Sequence, residues 1–256
     1  MAFVRRATPV SRCPARAATP DAFPRAASLR VAPADAADAT KLMRVVYGDW
    51  SGAGASLGGS RVSWAPAPLP RTEAGRGRYL WTDAFAVLNF VSAAERRAEM
   101  GDAGGRDDAL AAALALVRAV HETLGQPSSH QVPMSLSSRA PFALPGASSS
   151  SSSSSSSTTT TRHVGLRIGK TLAAASSDPG MALDGMYFHY HDKWVFALAR
   201  LADAFGAETS VGAALATEAT SLIKDVHPHW IERDEHTGAP LGVRWKINPD
   251  ASPIRG

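Results

Sequence analysis

The chain has 256 residues, 45% of them hydrophobic, which is enough for one or two domains with a sizeable core. Its formal charge of +4 sits almost wholly in residues 1–40, which hold six arginines and three acids. The rest balances at 21 basic against 20 acidic residues, so the electrostatic footprint of a nucleic-acid binder is missing. No apolar run reaches the length of a membrane span, and the single cysteine, Cys13, rules out a disulfide framework, a thiolate metal site or a cysteine nucleophile in the body.

Residues 1–40 are rich in Ala, Pro, Ser, Thr and Arg, with no Lys. A chloroplast or mitochondrial transit peptide has this composition. An Ala/Pro-rich disordered tail or a misassigned start codon would have it too, and without such targeting the protein is expected in the cytoplasm. Residues 41–78 carry many Gly, Ser and Pro and read as irregular, or as short strands such as Arg61–Trp64. Thr82–Ala94 is nearly uninterrupted by polar residues and predicts a helix buried on most sides. After the break at Gly101–Gly105, Asp107 or Asp108 is expected to cap a second helix. Its single stripe of Leu110, Leu114, Val117, His121 and Leu124, stopped by Gly125, predicts an outer position.

Residues 126–162 predict no packed element. They contain the unbroken run Ser148–Ser157 followed by Thr158–Thr161, a tract that buries too little apolar area to offset its ordering entropy. Gly165–Lys170 (GLRIGK) follows. It is not a phosphate loop, since Val164 stands where the first glycine of that motif would be.

Asp184–Gly206 is the clearest element. At about 3.6 residues per turn, Tyr187, Tyr190, His191, Trp194, Leu198, Leu201 and Phe205 fall on one face. His189, Lys193, Phe196, Arg200 and Asp203 fall on the other. Asp184 is expected as N-cap and Gly206 as the left-handed stop. A fourth helix runs from about Thr209 to Val226, striped by Val211, Leu215, Leu222 and Val226 and ended by Pro228. His227, His229 and His236 lack acidic or cysteine partners at ligand spacing and read as loop residues, so no metal is expected. Arg244–Asn248 (RWKIN) reads as extended. The order of buried helix, outer helix, long loop, buried helix and outer helix predicts an all-α protein of two antiparallel helical hairpins.

The blocks GRYLWTDAFAVLNF (Gly77–Phe90), GLRIGK, DGMYFHYHDKWVFAL (Asp184–Leu198) and RWKIN resemble successive blocks of the six-hairpin glycosidase-like proteins. That superfamily contains glucosidases, unsaturated-glucuronyl hydrolases and N-acylglucosamine 2-epimerases. The resemblance implies helical hairpins of an (α/α) toroid over residues 41–256, interrupted at 126–162, acting on a carbohydrate without a cofactor. Two of six hairpins are legible, so a partial toroid is expected, either a truncated gene product or a fragment closed by something else.

Glycoside hydrolysis uses two carboxyl groups flanking the sugar bond. Asp83 and Asp184 each begin an expected inner helix and could meet at one rim, although helix capping and the helix dipole equally favour an acid there. An epimerase reading would use His191 or His189 beside a carbonyl. Residues two apart on a helix point roughly 200° apart, so both would not enter one pocket. Either could equally serve the core or the surface. Tyr79, Trp81, Arg167, Lys170, Tyr187, His189 and Lys193 complete the expected substrate-binding set, with core packing as the alternative for the aromatics. A non-catalytic helical module is the third reading.

Overall fold

The computed structural model describes residues 33–57, 64–68, 77–126, 136–137, 142, 161–162, 165–170 and 184–254. Five α-helices dominate these residues: α1 (Pro33–Tyr47), α2 (Leu80–Glu99), α3 (Ala103–Leu124), α4 (Phe188–Phe205) and α5 (Ser210–Trp230). A 3₁₀ turn spans Ala53–Ser56. Six short strands are present among the described residues: β1 (Leu136–Ser137), β2 (Thr161–Arg162), β3 (Met186–Tyr187), β4 (Ile231–Arg233), β5 (Pro240–Val243) and β6 (Lys246–Ile247). They pair only in twos: β1 with β2 in parallel, and β3 with β6 and β4 with β5 antiparallel. The described residues are mostly helical. Among the described residues no helix is long and apolar enough to cross a membrane. The serine run Ser148–Ser157, most of the basic leader and the strand expected at Arg61–Trp64 lie outside the described residues, apart from Trp64.

Helices α2 and α3 form one hairpin, α4 and α5 a second, and α2 packs against α4. The two inner helices run side by side in the same direction. Their first turns meet where the Trp81 and Tyr190 rings lie 5.1 Å apart, and near their far ends Arg200 donates to Glu95 at 2.8 Å. The stripe read from α4 is the buried one: Tyr190, His191, Trp194, Leu198 and Leu201 all face the core, with Phe205 half-buried. Burying side chains of this size contributes roughly 1.5–3 kcal/mol each. In α5, Leu215, Leu222 and Val226 are buried as their spacing predicts.

Within the first hairpin burial is not distributed as expected, although α2 is the helix that packs on α4. Helix α2 is one-sided, with Phe85 42% exposed, whereas α3 buries six consecutive residues, Ala109 to Leu114. Alanine explains this. Short side chains let neighbours close on α3 from several directions, which a stripe of large residues does not reveal. One such neighbour is the 3₁₀ turn. A Cβ on Gly54 would lie 2.9 Å from backbone atoms of Asp107 and Asp108, and Asp108 accepts the Gly52 and Gly54 N–H groups at 2.9 and 2.7 Å. Asp108 therefore holds a loop on α3 and does not cap the helix. The cap is Asp102, whose side chain accepts from Gly105 N–H, so Gly104 and Gly105 of the expected break lie in the first turn and only Gly101 precedes the helix.

Other boundaries also differ. Helix α1 occupies part of the segment expected to be irregular, and its short amphipathic pattern is masked by alanine. Asp184 does not cap α4, which starts four residues later with Tyr187 as N-cap. Gly206 ends α4 at φ 92°, ψ 129°, a positive φ as expected but outside the left-handed helical region. Pro228 lies inside α5. In the last turn it removes one backbone hydrogen bond, and the buried Trp230 beyond it anchors the end. The β4–β5 hairpin and the short β1–β2 pair were not anticipated.

Candidate functional site

The first turns of α2 and α4, together with the β3–β6 ribbon, bring a row of aromatic rings to one end of the inner pair. Trp81 meets His189 at 5.7 Å, His189 stacks on Tyr187 at 5.6 Å and 17°, and Tyr187 meets Trp245 at 5.3 Å. Tyr79 and Tyr190 hydrogen-bond through their hydroxyls beneath this row. Lys170 donates to the Tyr187 hydroxyl at 2.9 Å, and the Lys246 ammonium lies 5.4 Å from the Tyr187 ring centre. Tyr187 and Tyr190 are buried, Trp81 is half-buried, and His189 and Trp245 are exposed. The ribbon register, Tyr187 opposite Lys246, places Trp245 at this rim.

The two expected catalytic carboxylates are sealed. Asp83 is fully buried. It accepts from the Tyr47 hydroxyl at 3.0 Å, the Arg78 guanidinium at 3.3 Å and Tyr79 N–H at 3.3 Å. Arg78 is completed by the carbonyls of Pro66 and Ala67. Burial pushes the Asp83 carboxyl up to about 6, against the downward pull of Arg78 and its hydrogen bonds. Burial and the Asp83 charge likewise push the Tyr47 phenol upward.

Asp184, 2% exposed, accepts from the N–H groups of Gly169, Lys170 and Gly185 and from Arg167. Burial raises its carboxyl, with Arg167 opposing. Arg167 also donates to the carbonyls of Thr123 at 2.9 Å and Gln126 at 2.5 Å, and its own N–H reaches Leu124 O at 2.9 Å. It thereby satisfies carbonyls at and just beyond the end of α3, which stops at Gly125 as expected, although Gly125 has φ −76° and makes no left-handed turn. GLRIGK is thus an interior strap. Its Gly169, at φ +84°, lies so close to the Arg78 carbonyl that any Cβ would collide with it. Arg167 and Asp184 form an internal clamp.

His191 is held from both sides. Its Nε2 accepts from Leu166 N–H at 3.0 Å, so the Nδ1 faces the Tyr187 carbonyl at 3.3 Å as the donor. These partners fix the neutral tautomer of the imidazole in the core. Lys193 pairs with Asp192 at 2.7 Å and takes no part in the ring row. Of the expected site residues, the structure brings together Tyr79, Trp81, Lys170, Tyr187 and His189. It withdraws Asp83, Asp184, Arg167 and His191 into the interior.

Sequence reasoning passed over Trp245 and Lys246 at the rim, and Arg78 and Tyr47 beneath it. Only the strand register places the first two, although the RWKIN block contains both. A buried polar contact also joins the hairpins: Trp194 Nε1–H donates to His121 Nε2 at 3.3 Å, and His121 Nδ1 lies 3.5 Å from Glu218. Among the described residues no group of three or more His, Cys, Asp or Glu is arranged to hold a metal ion.

Fold and site together define a mostly helical protein of two packed hairpins with an aromatic rim at one end of the inner pair. No family model, no curated protein and no solved structure matches this chain.

Proposed function

We propose that the chain binds carbohydrate at the aromatic rim, as two adjacent hairpins of a toroid related to the six-hairpin glycosidase-like proteins. The observation that carries this reading is the row Trp81, His189, Tyr187 and Trp245 at the shared end of two parallel inner helices. Sugar rings present C–H faces that pack on aromatic faces, while their hydroxyls need donors and acceptors close by. Lys170 and His189 supply such groups here. Neither Asp83 nor Asp184 presents an oxygen to a ligand, so hydrolysis by that pair is not part of the reading. A second reading, proton transfer of the epimerase type, is favoured by one observation: His189 alone of the two candidate histidines is exposed and lies within the ring row.

The test is calorimetric titration of the full chain with glucose, glucuronate and N-acetylglucosamine and their short oligomers. Saturable binding that weakens about tenfold in Trp81→Ala, as expected for loss of an aromatic anchor of 1–2 kcal/mol, supports the reading. Phe196→Ala, which removes an exposed aromatic of α4 outside the ring row, should leave binding unchanged. Absence of binding to any of these sugars would overturn it. The epimerase reading further requires sugar interconversion that His189→Gln abolishes while binding persists.

A further inference from the structure

At the other end of α2, about 20 Å from the rim by helix rise, lies a cleft of about 750 Å³ that the carbohydrate reading does not use. It is walled by α1, by Trp50 and Ser51, by the last turns of α2 and by the start of α3. Small-molecule sites commonly have this size. Three arginines line it: Arg44, Arg96 and Arg97.

The two acids in its wall are already committed. Asp102 accepts Gly105 N–H and pairs with Arg97 at 2.7 Å, and Asp108 accepts two N–H groups of the loop above α3. Arg44 is held by Asp49 at 3.5 Å, and its guanidinium carbon lies 5.3 Å from the Trp50 ring centre, which fixes its orientation. Arg96 has no ion pair among the described residues. A smaller pocket of about 160 Å³ shares Trp50, Ala93 and Arg96 with the cleft and adds Met43 and Phe90 as an apolar floor. A charged mouth and an apolar floor therefore adjoin at Arg96.

We propose that this cleft binds a small phosphomonoester with an apolar or aromatic body. Arg96 grips the phosphate with Arg44 and Arg97 alongside, and the apolar part enters between Met43 and Phe90. A phosphate carries close to two charges at neutral pH and three acceptor oxygens, which suits several guanidinium forks better than a single carboxylate does. The proposal stands apart from sugar binding at the rim.

Phenyl phosphate is the probe, titrated into the full chain by calorimetry, with phenylacetate and benzyl alcohol as the carboxylate and neutral comparisons. Saturable binding of phenyl phosphate is expected, weakening about tenfold or more in Arg96→Ala and less in Arg96→Lys, which keeps the charge but loses the fork. Benzyl alcohol should bind at least about tenfold more weakly than phenyl phosphate. Thermal melts of both variants establish that they remain folded, and Arg96→Lys carries the test if Arg96→Ala does not. Absence of saturable binding, or binding unchanged in the folded Arg96 variant, overturns the site. Phenylacetate binding as tightly as phenyl phosphate overturns the phosphate assignment.

Discussion

Arg167 shows how one residue in an apolar strap can organise a fold. Its guanidinium joins Asp184 and two carbonyls at the end of α3. Removing it leaves a buried carboxylate without its counter-charge and strips the helix end of its cap. Arg167→Ala is expected to cost about 3–5 kcal/mol in urea unfolding, the range for breaking one half of a buried pair. Arg167→Lys should recover only part of that, because an ammonium cannot reproduce the fork.

Asp83 makes a pH-dependent prediction. Folding raises its carboxyl from the ordinary 3.8 to about 6, so the native state holds the proton more tightly than the unfolded chain. Unfolding then releases a proton between those values. The contribution of Asp83 to stability is full below the lower value and is lost as pH rises through the upper one, by at most about 1.4 kcal/mol per pH unit. The stability difference between wild type and Asp83→Asn, followed by urea unfolding from pH 4 to 7, should shift against the wild type as pH rises. A flat difference would contradict this assignment. Asp83 was legible in the sequence as a first-turn acid of α2, whereas Asp184 lies four residues ahead of α4, and the partners of neither were visible. Tyr47 lies 36 residues from Asp83, and Arg167 lies 17 residues from Asp184. Periodicity carries no information about such pairs.

Elements were legible where large apolar residues repeat. The stripe of α4 and that of α5 translate directly into burial because each Leu, Trp or Tyr excludes water from one face. Helix α3 was misjudged because burial by alanine leaves no stripe, and its packing depends on how closely a neighbour's backbone approaches. Ala112 is fully buried in that region. Ala112→Leu should lower stability by about 1–3 kcal/mol through overpacking, despite a helix propensity close to that of alanine. A comparable melt for wild type and variant would show that α3 has the open outer face the sequence suggested. Strand pairing was equally hidden, since the ribbons of β3–β6 and β4–β5 are too short to show alternation, and with them went Trp245 and Lys246 at the rim.

For the molecule as a whole, the two hairpins share one core. Trp194 of α4 donates to His121 of α3, and Arg106 of α3 donates to the Ala204 carbonyl of α4 at 3.2 Å. The segment carrying the serine run leaves from Gln126 and returns at Arg167, two residues joined by a hydrogen bond. Loop closure depends only weakly on length, about 0.6 kcal/mol for each doubling. Deleting Ser148–Ser157 should therefore leave the melting temperature within a few degrees of wild type, measured by circular dichroism.

That clamp at Gln126 and Arg167 also makes the protein divisible. The two hairpins meet through side chains and main-chain carbonyls, and the clamp holds the far ends of the intervening segment side by side whether or not the chain between them is continuous. Residues 1–135 and 160–256, produced as separate polypeptides, should reassemble on mixing into a heterodimer with native helical content. Substituting Arg167 in the second piece should weaken that complementation more than it weakens the intact chain, because the missing tether no longer supplies a high local concentration.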